Sequence, residues 1–251
     1  MQKRGQIVFF VIIGLLLIIA LLFALYSKKP EEKAPVVFPE KEQLRTLLSN
    51  CLEKGLGEAL DIAGLQGGYI YPSAFPAPLN IAIAILPYWY YDGQIVSPTR
   101  VTVESQLAAY IEERAKRCTK GIQWGLGEPR ATVTLLDTNA HTVLIYPMTL
   151  KKSGAMMTFE DPILTKHPSS LKNLLESARL LVQKTAQKPD VLDLTVINQI
   201  GARFPVTIYP YETEHVGEHV VPEKADKNIV VVELRDKGGG KPSSLTFAMR
   251  Y

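Results

Sequence analysis

The chain has 251 residues, 28 of them Lys or Arg and 25 Asp or Glu, for a formal charge of +3. The basic residues are interspersed with acids, which leaves no electrostatic footprint for nucleic acid. Mean hydropathy is +0.06, much of it contributed by one segment near the N-terminus, and the two cysteines, Cys51 and Cys118, allow at most one intrachain disulfide.

That segment is Ile7–Tyr26, 20 residues without a charge. As a helix it would rise about 30 Å, the thickness of a hydrocarbon core. Tyr26 then sits at an interface with Lys28 and Lys29 just beyond. A cleaved secretory signal has a shorter apolar region and a small-x-small cleavage site, whereas this run ends Phe-Ala-Leu-Tyr-Ser-Lys-Lys. The expectation is a retained single-pass anchor within residues 1–26 and the lipid bilayer as a partner. Lys3 and Arg4 before it nearly balance Lys28, Lys29 and Lys33 after it, so loop charge alone does not set the orientation.

Lys3-Arg4-Gly5-Gln6, running directly into the apolar stretch, resembles an archaeal type IV prepilin signal. The resemblance implies cleavage between Gly5 and Gln6 on the cytoplasmic side, retention of the helix, and a C-terminal domain outside the cell. It covers about 25 residues. Many pilins carry Glu at the fifth mature position to dock subunits; Phe10 stands there in this chain. The remainder resembles membrane-anchored proteins of small-genome archaea in which a Cys-bearing helix precedes a Gln-Gly-Gly-Tyr-Ile segment, here Gln66–Ile70. That likeness implies a class of protein and no particular chemistry.

Residues 27–39 hold Pro30, Pro35 and Pro39 amid charges, which reads as an extended tether. A soluble domain is expected over 40–251, with a sub-boundary near 151–165. Its first helix is marked by Leu44, Leu47, Leu48, Cys51, Leu52, Leu56, Ala59, Leu60 and Ala63 at spacings of three and four, with Gly64 as its stop and Gly67-Gly68 following in a turn. Tyr69–Tyr71 and Leu79–Tyr91 read as strands, and Asp92-Gly93 as a hairpin turn. Thr102 is the expected N-cap of a second helix reaching Cys118. Ala131–Leu136 and His141–Leu150 read as paired strands. A third helix spans Ser169–Gln187, and Val191–Ile197, Phe204–Tyr209, Ile229–Leu234 and Leu245–Met249 read as strands. Helices and strands intermix without regular alternation, so the fold class is α+β with antiparallel sheet.

Both cysteines lie on the apolar faces of expected helices. They read either as free core thiols or, outside the membrane, as a Cys51–Cys118 disulfide. His215 and His219, with Glu212, Glu214 and Glu218 nearby, form the one local cluster of potential metal ligands, but Gly217 and Pro222 argue for a loop. Gly238-Gly-Gly-Lys241 lacks the spacing of a phosphate loop. No cofactor, metal or catalytic motif emerges. Tyr69, Tyr71, Tyr88, Trp89, Tyr90 and Tyr91 form an aromatic-rich region. Strand alternation sends Tyr88 and Tyr90 to one face and Trp89 and Tyr91 to the other, so one pair is expected to be exposed as a surface for another protein, a glycan or a second copy. The reading is a membrane-anchored surface protein with an extracytoplasmic binding or structural domain. A pilin-like filament subunit and an anchored hydrolase are the alternatives.

Overall fold

The computed structural model describes residues 18–19, 39–72, 78–81, 84–122, 125–152, 155–188, 193–210, 229–236 and 243–251. The Gly5–Gln6 pair, nearly all of the Ile7–Tyr26 run, the tether up to residue 38, the His215–His219 cluster and Gly238–Lys241 lie outside them. The chain divides into two units, Met1–Glu40 and Lys41–Tyr251. In the first, Ile18 and Ile19 are helical, with exposed side chains. Among the described residues no helix is long and apolar enough to cross a membrane.

The second unit is α+β. Helix α1 spans Pro39–Leu65 and opens on a proline, whose missing N–H costs nothing in a first turn. Leu44, Leu48, Leu52, Leu56, Ala59, Leu60 and Ala63 are buried on one stripe, whereas Leu47, expected on it, is exposed beside it. The helix ends at Leu65, one residue past the expected stop at Gly64. A Cβ there would stand 2.3 Å from the Ser244 carbonyl oxygen, so glycine at 64 allows close packing. Gly67 and Gly68 follow in the expected turn, and their φ values of 56° and 89° suit glycine.

Helix α2, Arg100–Cys118, is capped by Thr99, whose hydroxyl accepts from the Thr102 amide at 3.0 Å. Thr102 is therefore the third helical residue and not the cap. Helix α3 is Leu171–Gln187. Of the expected strand Val191–Ile197, Val191 and Leu192 lie outside the described residues, and Leu194–Ile197 instead open helix α4, Leu194–Gly201, with Val196 and Ile200 buried one turn apart. Asp193 decides the matter, because its carboxylate accepts from the Thr195 and Val196 amides and so starts a helix. Tyr69–Tyr71 is not a strand either. The Gln106 side chain binds this segment, accepting from the Ile70 and Tyr71 amides and donating to the Tyr71 carbonyl.

A five-stranded sheet has the order β11-β12-β13-β3-β4. Its strands are β3 (Tyr88–Tyr91), β4 (Gln94–Ile95), β11 (Val206–Pro210), β12 (Ile229–Arg235) and β13 (Ser244–Arg250). Only the β13–β3 pair is parallel. The β3–β4 turn is Asp92-Gly93, both at positive φ, as the Asp-Gly pair leads one to expect. One face of this sheet joins the main core, which includes α1, α2 and α3. On the other face Leu86, Tyr88, Ile229, Val231 and Ala248 form a second core, covered by Leu79 and Ile81. These last belong to the hairpin β1 (Leu79–Ile81) and β2 (Ala84–Leu86).

A three-stranded antiparallel sheet, β10-β7-β6, holds Ile163–Pro168, Asn139–Ile145 and Arg130–Leu135. Val133, Leu135, Ala140, Leu144 and Ile163 join the main core. A third sheet, β5-β8-β9, comprises Gly125–Leu126, Met148–Lys152 and Ala155–Phe159. The main core runs from Leu44 to Met249 and includes residues on both sides of 151–165.

Helix α2 closes the outer edge of β6. The Glu112 and Glu104 carboxylates accept from the Ala131 and Leu135 amides at 2.8 and 2.9 Å. Eight residues of helix rise about 12 Å and four residues of strand about 13 Å, so one helix face reaches both amides. A carboxylate on an edge N–H also removes a template for strand addition.

Candidate functional surfaces

The aromatic strand is the first place to look for a partner surface, and the structure corrects that expectation. Trp89, Tyr90 and Tyr88 are 0%, 2% and 7% exposed. The register of β3 against β13 explains why. Ala248 faces Tyr88 and Met249 faces Tyr90, leaving Trp89 as the extra residue of an irregularity. A bulge of this kind breaks alternation. Trp89 and Tyr90 thus both reach the main core, while Tyr88 and Tyr91 belong to the opposite cluster. Trp89 stacks on Phe247 with ring centroids 4.5 Å apart, and its indole N–H donates to the Gly67 carbonyl at 2.9 Å. The Gln66–Ile70 segment is thereby a structural lock. A side chain at Gly67 would meet the indole nitrogen at 2.9 Å. Tyr69 and Tyr91 are half-buried, and Arg250 holds Tyr91 through a hydrogen bond of 2.9 Å and by lying over its ring. Of the six aromatics only Tyr71 is exposed, at 45%. Burial and the neighbouring Glu113 raise its phenol pKa.

Cys51 and Cys118 are bonded to each other, with Cα atoms 6.3 Å apart. The bond joins α1 to α2 where Glu58 also meets Arg114 at 3.1 Å and Tyr110 at 3.3 Å. Gly55 makes the approach possible, since a Cβ there would lie 2.7 Å from the Arg114 side chain.

A cleft of about 250 Å³ lies between the C-terminal half of α1, the β10–α3 junction and the start of β13. Asp61, His167, Ser169, Ser243 and Ser244 line it. His167 rests against Gly57, where an added Cβ would come within 2.9 Å of the ring. Its Nδ1 is buried without a hydrogen-bond partner, and the Ser169 hydroxyl accepts from the Leu171 amide. An imidazole acting as general base is oriented by a partner on its second nitrogen, and Nδ1 here has none. Among the described residues no three His, Cys, Asp or Glu side chains could hold a metal ion.

The outer face of the β10-β7-β6 sheet is bare. Leu164, Val143 and Thr132 form one row across it, and Lys166, His141 and Thr134 the next. Ile145 stands beside Arg130 in the third. Leu164 is 66%, Ile145 46% and Val143 38% exposed. Sequence reasoning missed this face, because His141-Thr-Val-Leu-Ile145 offers apolar residues to both sides.

The described residues thus form an α+β domain with a disulfide between α1 and α2, a small polar cleft and an exposed outer face on the β10-β7-β6 sheet. No family model, curated protein or solved structure matches the chain.

Proposed function

We propose that this chain is a membrane-anchored cell-surface protein. In this reading Ile7–Tyr26 is its single membrane span, and Lys41–Tyr251 is an extracytoplasmic domain that binds or supports a partner and does not catalyse a reaction. The observation that carries the reading is the Cys51–Cys118 bond between two core helices. Such bonds persist in oxidising, extracytoplasmic surroundings. The uncharged 20-residue run supports the membrane half of the reading. The prepilin-like Lys3-Arg4-Gly5-Gln6 supports cleavage after Gly5 and an outward-facing domain.

Intact cells test it. Impermeant protease added outside is expected to remove the domain and leave a membrane-bound N-terminal fragment. The mass of that fragment should start at Gln6. A domain protected until the cells are lysed would place it inside and end the proposal.

The hydrolase alternative has one observation in its favour, the meeting of Asp61, His167 and three serines in one cleft. Without a partner on Nδ1 that cleft is better read as a polar indentation, and His167→Ala should leave the domain's biological role intact.

A further inference from the structure

We infer that the bare face of the β10-β7-β6 sheet docks on an anionic membrane surface, its aliphatic rows meeting the headgroup region and its cations the lipid phosphates. The inference rests on the membrane-anchor reading and adds to it an orientation of the domain.

Composition is the first argument. The register places Arg130, Thr132, Thr134, His141, Val143, Ile145, Leu164 and Lys166 on this face, and none of them is a carboxylate. Antiparallel sheets that turn one face to water normally make it polar. Here Val143 and Leu164 are cross-strand partners, so two exposed aliphatics adjoin, with Ile145 next along β7. Arg130 and Lys166 flank them diagonally. Aliphatic groups ringed by long cationic side chains suit an interface where carbon enters and charge stays with phosphate.

Rim charge is the second argument. Asp161, Asp137 and Glu128 lie just beyond the ends of these strands, and each is bound to a lysine: Lys41 at 2.6 Å, Lys172 at 2.9 Å and Lys116 at 2.6 Å. Lys41 and Lys172 hold the two aspartates below the usual carboxylate range. These three acids are thereby matched, and Arg130 and Lys166 are the cations of the face itself, with Glu53 of α1 sharing a hollow with Leu164 and Lys166 at the β10 edge.

Position is the third. The Lys41–Asp161 pair places the point where the chain enters this unit beside the start of β10. The residues from 27 to 38 extend at most about 40 Å, so the entry point stays near any bilayer that holds Ile7–Tyr26. A second copy of the chain is the poorer occupant, since face-to-face pairing sets Arg130 and Lys166 against the same cations, and the strand positions of the face carry no carboxylate.

The test reconstitutes the full chain carrying Val143→Trp into phosphatidylcholine vesicles containing brominated chains, with and without phosphatidylglycerol. Relative to the parent chain, the added tryptophan should lose emission in the phosphatidylglycerol vesicles. Raising salt, or adding Arg130→Glu with Lys166→Glu, should restore that emission. Leu164→Trp serves as an independent second reporter, and Leu194→Trp on α4 as a site expected to stay unquenched. Equal emission from the face reporters in both lipids overturns the inference, as does cross-linking of two copies through position 143. Carbonate-resistant flotation separates the two readings. A chain that floats without quenching keeps its anchor and loses this surface. A chain stripped by carbonate loses the anchor, while salt-sensitive quenching before the wash would still support the surface.

Discussion

The two larger sheets of this domain handle their faces in opposite ways. The five-stranded sheet is covered twice, by the main core on one side and the β1–β2 hairpin on the other. The three-stranded sheet has its β6 edge closed by two glutamates of α2, yet one whole face is left open. The residues that look most like a binding surface, Tyr88 to Tyr91, sit in the doubly covered sheet. Aromatic content is thus a poor guide to exposure here, because large rings are also what a strand between two layers needs to fill its space.

Breaking the covered sheet should have the largest effect. Trp89→Ala removes the stack on Phe247 and the hydrogen bond to Gly67 together. A buried aromatic truncated to alanine costs about 3–5 kcal/mol, so the domain should melt far below the parent. A midpoint unchanged in calorimetry would mean that β3 is not a core strand.

The disulfide comes next. Cys51→Ser with Cys118→Ser opens a link across a separation of 67 residues, for which about 2–4 kcal/mol is typical. Urea unfolding of the oxidised protein against this double variant measures it. Equal midpoints would show that α1 and α2 are held by packing and the Glu58–Arg114 pair alone.

Removing the edge closure should cost less. Glu104→Ala or Glu112→Ala strands an edge amide, at about 1–3 kcal/mol if the amide stays buried. The pair together should also raise aggregation, because β6 regains an edge open to strand addition. Light scattering during heating follows that outcome, and a double variant that melts and scatters like the parent would show that water replaces the carboxylates without loss.

The helices were legible because their apolar residues recur at three and four: Leu44, Leu48 and Leu52 in α1, Leu107 and Ile111 in α2, and Leu174, Ala178 and Leu181 in α3 are all buried. Asp92-Gly93 was legible because few other pairs adopt that turn. Failures came where a local cap or a distant element overrides the composition of a segment. Val191–Ile197 has strand composition, but the Asp193 cap starts a helix. Alternation in β3 fails at the irregularity opposite Ala248 and Met249. For the open face, nothing in β7 distinguishes Val143 and Ile145, which face outward, from Ala140 and Leu144, which face the core. Which set is covered depends on what packs against the sheet, and that is a tertiary fact.

The smallest expected effect gives the sharpest test of the comparison. Val143→Thr and Val232→Thr make the same chemical change on strands of different sheets. Val232 is fully buried, pairs with Phe247 on β13 and belongs to the main core. A hydroxyl placed there lacks solvent, and burying one without a partner costs about 1–3 kcal/mol. Val143 is 38% exposed on the open face, where water reaches a hydroxyl and threonine keeps the β-branched shape that strands favour. Surface substitutions of this kind stay within about 0.5 kcal/mol. Thermal melts of the two variants beside the parent should therefore separate, with Val143→Thr close to the parent and Val232→Thr clearly below it. If Val143→Thr instead falls as far as Val232→Thr, something already covers the outer face in the free protein, and both the contrast between the sheets and the membrane-docking surface built on it would have to be given up.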